Sequence, residues 1–284
     1  MDEIVIKYKT YLEALKKSPH TVKQYCIDTQ QFITFMKEAH FTFGDSIKKV
    51  IISYNEYLQE RFSSISSINR KRASLHHFLN FLLLREIIRE IPESLLKPLK
   101  LETKQLQILS TNQVKSVLNF WFEAYQSTED VEYKWLALRN FCLVNMIFEL
   151  GVKPYEIIAL KWRQIKGNEI SISQKHRKLS LSDSLCKWLD LYQYETENIF
   201  PTNHEFVWLG LGNKQNDPIT VKTIERIFQS ISKGLGFKVT ATTLRYTCIH
   251  TEYKQIYDEQ LTDLYTKYGY SRKSVLLERV RRFK

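Results

Sequence analysis

The sequence predicts a mainly α-helical protein of two domains, with a small antiparallel β-sheet in the second. Three observations carry that prediction. Apolar residues recur at helical spacing through residues 1–95 and again from 108 onward. Between them, Pro92–Gln107 holds two prolines, several lysines and no sustained period. One segment, Ile170–Leu181, alternates at period two on both sides of a basic turn. The expected organisation is a helical domain over 1–95, a linker over 96–107 and a second domain over 108–284. A chain of 284 residues is long enough to bury two cores.

The elements follow in order. Ile4, Tyr8, Tyr11, Leu12 and Leu15 mark one helical stripe, broken at Ser18-Pro19-His20-Thr21. Val22, Tyr25, Thr29, Phe32 and Phe35 mark the next. Phe41–Asp45 reads as a loop and Ile47–Phe62 as a third helix. Ser63–Ser67 reads as a polar turn, and Ile68–Leu84 as a fourth helix with Leu75, Phe78, Leu79 and Leu82 inward. Ser110 or Thr111 is a plausible cap for the helix that opens the second domain. Residues 133–150 form a strongly apolar helix. Asp183–Tyr192 and Thr220–Leu235 read as helices, and Val207–Trp208 as a short strand.

Hydrophobic content of 43% and charged content of 26% are those of a globular chain. The net charge of +11 favours a polyanionic partner, most often nucleic acid. Cys26, Cys142, Cys186 and Cys248 are scattered singly, which supports neither a zinc site nor a disulfide framework. No cofactor and no metal is expected. The N-terminus lacks a signal-peptide core and no apolar run is long enough to span a membrane, so a cytoplasmic protein is expected.

Several stretches carry a resemblance to a known family. Glu149–Ile165, ELGVKPYEIIALKWRQI, places a turn at Gly151 between an apolar helix and a second helix opened by Pro154. It resembles the stretch of the tyrosine recombinase (phage integrase) family that carries the first catalytic arginine. Gly151, Glu156, Leu160, Lys161 and Trp162 match, and Lys153 stands where that arginine is expected. Thr240–His250, TATTLRYTCIH, resembles the family's Thr-Pro-His-x-Leu-Arg-His-Thr, with Leu244, Arg245 and Thr247 matching. Thr242 replaces its first histidine and Tyr246 the histidine that commonly follows the arginine. Tyr268-Gly269-Tyr270-Ser271 resembles Leu-Gly-His-Ser, with Tyr270 at the histidine. The N-terminal domain joins in through Ser18–Thr21 with Tyr25, and through Ser67–Arg70 with Ser74, Leu75 and Phe78.

The resemblance implies a two-domain recombinase architecture, a helical core-binding domain followed by a catalytic-like domain, and double-stranded DNA as partner. In the family a tyrosine attacks a phosphodiester, two arginines clamp it, and a lysine on a β-hairpin protonates the leaving oxygen. Lys175 matches that lysine best, with Lys178 as the alternative. The position matching the nucleophile is Arg279, and no tyrosine follows Tyr270. Loss of strand transfer is therefore expected, unless Tyr265, Tyr268 or Tyr270 serves as a displaced nucleophile. The expected DNA contacts are Thr21, Lys23, Asn69, Arg70, Lys71 and Arg72 in the first domain, and Lys153, Lys175, Arg177, Lys178, Thr243 and Arg245 in the second. The C-terminal stripe of Leu276, Val280 and Phe283 packs in its own domain or serves self-association on DNA. The function these features imply is sequence-specific DNA binding by a silenced recombinase, such as a phage or mobile-element repressor. The alternatives are a divergent active recombinase and a non-catalytic accessory subunit of a recombination complex.

Overall fold

The structure is a computed structural model and describes residues 2–101, 105–173, 176–200, 204–212, 217–255 and 261–283. It separates into two compact units, 1–103 and 104–284.

The first unit holds α1 (Asp2–Ala14), α2 (Pro19–Glu38), α3 (Ile47–Arg61), α4 (Ile65–Leu84) and the short α5 (Glu93–Leu96). Ser18 caps α2, accepting from the Thr21 N–H at 3.1 Å, and Pro19 occupies the first turn, where its missing N–H costs nothing. The core joins Tyr8 and Leu12 of α1 to Phe32, Tyr54, Phe78 and Leu82. Two expectations change here. α4 begins at Ile65 under a Ser64 cap, so Ser66 and Ser67 belong to the helix rather than to a turn. Leu15 lies beyond the end of α1 and is exposed.

The linker is also shorter than its composition suggests. Asn55 donates to Leu95 O at 3.0 Å, and Arg72 to Lys97 O at 3.1 Å. Asn69 exchanges two 2.8 Å hydrogen bonds with the backbone of Leu99. Side chains of α3 and α4 thus satisfy the backbone of 95–99 as an added strand would, and that segment belongs to the first unit.

The second unit is built around α7 (Val131–Leu150), which packs against α6 (Thr111–Ser127), α9 (Asp183–Ile199) and α11 (Ala241–Tyr253). Its apolar sequence is explained by burial on several sides. Ser110 and Gln113 form a reciprocal capping box at the start of α6. After Gly151 comes the single turn α8 (Pro154–Ile158), then a 3-10 turn at Trp162–Gln164. A three-stranded antiparallel sheet follows in the order β1 (Ile165–Lys166), β2 (Glu169–Ile172), β3 (Arg177–Ser180). Its register pairs Ile170 with Leu179 and Ile172 with Arg177, and Ile170, Ile172 and Leu179 face the core.

Val207 and Trp208 are buried but do not form a strand. They lie between two isolated bridges, Lys161–Phe206 and Leu209–Pro218, and Val207 donates to Leu160 O. α10 (Val221–Leu235), capped by Thr220, α11, α12 (Leu261–Lys267) and α13 (Lys273–Val280) complete the unit. The tail stripe packs within the same unit. Leu276 is fully buried, and Phe283 rests on Tyr246 and pairs with Leu106 through a parallel bridge. Among the described residues no helix is long and apolar enough to cross a membrane, and no group of three or more His, Cys, Asp or Glu is placed to hold a metal.

Candidate nucleic-acid interface

Four segments of the second unit converge on the turn after α7. Gly151 ends that helix in the left-handed region at φ 56°, and a Cβ on it would lie 2.2 Å from the ring of Tyr268. Backbone and space both demand glycine. The next turn carries Lys153, half-buried, whose ammonium donates to the Tyr155 hydroxyl at 3.2 Å. The Lys153 backbone N–H donates to Glu156 Oε2 at 2.8 Å.

Arg245, only 5% exposed, reaches the same turn from α11. Its Nε donates to Gly151 O at 2.5 Å and its Nη2 to Tyr268 O at 2.7 Å. Its guanidinium lies 5.4 Å from the centroid of the Tyr270 ring. Among the described residues no carboxylate pairs with it. The Tyr270 hydroxyl is buried and, among the described residues, makes no hydrogen bond. Burial pushes its pKa up, while the Arg245 charge acts against the rise. A buried cation held by carbonyls and neutralised by no carboxylate among the described residues, beside a buried hydroxyl without a hydrogen-bond partner, suits an anion such as a phosphodiester.

Thr242 is exposed in the first turn of α11, and the Thr243 N–H is satisfied by the Thr240 cap at 3.0 Å. A cavity of about 600 Å³ opens beside them between Pro154, Ile224, Phe228 and Val239. Lys175 lies outside the described residues. Lys178 is exposed and pairs with Glu169 at 2.9 Å. Arg279 sits 5.6 Å from the Tyr246 ring.

The three candidate tyrosines differ. Tyr265 is half-buried in the tail cluster. Tyr268 is fully buried, donates to Glu252 Oε2 at 2.5 Å and touches Cys248 Sγ at 3.2 Å. Burial first, then Cys248 and Glu252, drive its phenol far above the ordinary range. Tyr270 meets Arg245 with its ring, whereas Tyr268 meets it through its backbone carbonyl.

Several expected DNA contacts turn inward. Arg177 is buried in an ion pair with Glu156, 2.6 Å apart, with both side chains 2% exposed. It cannot reach a phosphate, because strand alternation points it with Ile172 and Leu179 into the unit. In the first unit Arg70 pairs with Asp28, and Lys71 donates to Asp28 Oδ1 at 3.1 Å and to Gln31. Arg72 donates to Asn55 Oδ1 at 2.8 Å. Lys71 and Arg72 are buried because the desolvated Asp28 carboxylate and the Asn55 amide face them from α2 and α3. Asn69 is engaged by Leu99, and Thr21 by Ser18 Oγ at 2.8 Å. Lys23 remains exposed, and Arg70 partly so. Glu156 was expected only as a motif match and Tyr268 only as a possible displaced nucleophile; neither was expected to hold the pocket together. A glutamate three residues after the first residue of a helix-opening turn is the signal that could have found Glu156.

The fold is that of the two-domain tyrosine recombinases. A lambda integrase dimer bound to a COC' core site superposes with a TM-score of 0.70 at 14% identity, covering 99% of this chain and 95% of that one. The XerH site-specific recombinase bound to a palindromic difH substrate gives 0.72 at 14% identity, covering 96% and 81%. Sequence relatives point the same way. Residues 5–86 match the phage integrase N-terminal SAM-like domain. The tyrosine recombinase XerC of Chlamydia caviae is 23% identical over 264 residues, 84% of this chain and 81% of that protein. A tyrosine recombinase homologue of Caldanaerobacter subterraneus subsp. tengcongensis is 30% identical over 155 residues, and the match spans half of its length. Together these matches show a chain similar in fold, and in part in sequence, to tyrosine recombinases.

Proposed function

We propose that this chain is a sequence-specific double-stranded DNA-binding protein that grips a phosphodiester without cutting it. A phage or mobile-element repressor is the role that fits best. The observation that carries this reading is the pocket at Arg245. Its buried cation and the stranded Tyr270 hydroxyl call for an anion, while the position of the family's nucleophile holds Arg279. Without a nucleophile the covalent route is closed. Lys153 brings a single point charge where the family brings a planar fork, enough to hold phosphate and poorer at clamping a transition state. The lambda integrase and XerH structures have DNA in their complexes, and the shared fold supports the same partner here. Self-association on DNA through the tail belongs to the same reading, and requires α13 to leave the cluster it forms with α11 and α12.

One observation favours a second reading, that of an active divergent recombinase. Tyr270 sits beside Arg245, and the relatives are recombinases. A nicked suicide substrate made from DNA that the protein enriches from its own genome separates the two. Salt-sensitive binding with no protein–DNA adduct on denaturing electrophoresis is the expected outcome. A covalent band that disappears in Tyr270→Phe would overturn the non-catalytic reading. With roughly six to ten phosphate contacts, affinity should fall about 10³–10⁵-fold between about 50 and 200 mM salt.

A further inference from the structure

Arg177 is basic, sits on a hairpin and has the composition of a DNA contact, yet its guanidinium is committed elsewhere. Nη2 donates to Glu156 Oε1 at 2.6 Å and Nη1 to Lys267 O at 2.7 Å. The other carboxylate oxygen of Glu156 accepts the backbone N–H of Lys153 at 2.8 Å. Three residues therefore form a chain, from β3 through α8 to the peptide that carries the Lys153 side chain. The second prong works on the opposite wall. Lys267 O is held by Arg177 and the next carbonyl, Tyr268 O, by Arg245. Gly269, at φ 65°, packs so tightly that a Cβ would lie 3.0 Å from Arg177 Cζ. The turn that delivers Tyr270 to Arg245 is thus moulded on the Arg177 guanidinium.

A buried ion pair of this kind is a poor way to add stability, because desolvation cancels most of the attraction. Its two-pronged geometry is a good way to fix positions. We propose that Arg177 is a positioning residue for the phosphate pocket, setting Lys153 through Glu156 and the Tyr270 turn through Lys267 O. This rests on the DNA-binding reading above. It also makes a prediction of unusual sign. Glu156 is an acid in a site for a polyanion, so charge alone would have its removal strengthen binding, whereas the positioning role has it weaken binding.

The test compares Arg177→Met, Glu156→Met, the two together, Lys153→Ala, and Lys153→Ala with Arg177→Met, all in the full chain. Thermal melts first establish that each is folded. The double apolar exchange is expected to fold even where a single one does not, since replacing both partners of a buried pair is often neutral. Arg177→Lys, which keeps the charge and loses one prong, stands in where Arg177→Met fails to fold. The probe is a fluorescent duplex that the wild type enriches from genomic DNA, titrated across a salt series. Both single exchanges should weaken binding roughly tenfold, the range of couplings between residues in one network. Lys153→Ala should add little once Arg177 is gone. Tighter or unchanged binding by Glu156→Met, or independent multiplication of the Lys153 and Arg177 effects, would overturn the positioning role while leaving DNA binding intact. A wild-type protein that enriches no duplex would overturn the DNA-binding reading itself, and this inference with it.

Discussion

Buried cations occur in both units and differ in what surrounds them. In the first unit Lys71 meets Asp28 and Gln31, and Arg72 meets Asn55 and the carbonyl of Lys97. Those side chains tie α4 to α2, to α3 and to the segment after α5. In the second unit Arg245 meets two carbonyls and an aromatic ring, with no carboxylate among the described residues. A buried cation with its own anion is a fastener. A buried cation held by neutral dipoles keeps its charge for a ligand, because carbonyls orient it without neutralising it. The second unit contains both kinds, since Arg177 with Glu156 behaves as a fastener while holding the carbonyl next to the one that Arg245 holds.

The sharpest way to break this distinction is Asp28→Ala. Asp28 is 3% exposed, and its loss leaves Lys71 buried without a charge partner. The first unit should lose about 3–5 kcal/mol, read by urea denaturation, with no new DNA affinity from the released cations. Arg245→Met comes next. Two carbonyls lose their donor, at about 1–3 kcal/mol each for a buried group left unsatisfied, and binding should weaken for every DNA sequence. If Arg245→Met bound duplex DNA like the wild type, the pocket would be a fastener as well. Lys153→Ala should leave the melting temperature unchanged and lower the log–log salt slope of binding by about 1, as expected for one phosphate contact.

The smallest effect concerns a ring whose charged form the first unit disfavours. Burial, with the Lys17 charge second, holds the His77 pKa below the ordinary histidine value, and the Tyr8 hydroxyl lies 3.1 Å from Nδ1. A depressed histidine pKa means that the unfolded chain binds the proton more readily. Stability from this group is therefore complete above the unfolded value and declines as pH falls below it. The first unit should melt at a lower temperature in mild acid than at neutral pH, and His77→Phe should flatten that difference.

Much of the fold was legible from local signals. Ser18-Pro19, Ser110 with Gln113, and Thr220 start helices because their side chains or rings answer the orphan N–H groups of a first turn. The β2–β3 hairpin followed from alternation alone. The candidate site was legible in part, through Gly151, Lys153 and Arg245. The exposed or buried fate of each cation was not, because Arg70, Lys71, Arg72 and Arg177 have the same composition whether they face water or a carboxylate brought from another helix.

What the amino-acid order determined was the set of helices and caps, the sheet segment, the basic balance, and the identities of Lys153, Thr242, Tyr270 and Arg279. Those depend on neighbours within a few residues, or on residue identity itself. What only tertiary structure decided was partnership. Asp28 meets Lys71 across 43 positions, and Arg177 meets Glu156 across 21 and Lys267 across 90. The strength of a charge interaction depends on distance in space and on the exclusion of water, and neither is encoded in separation along the chain.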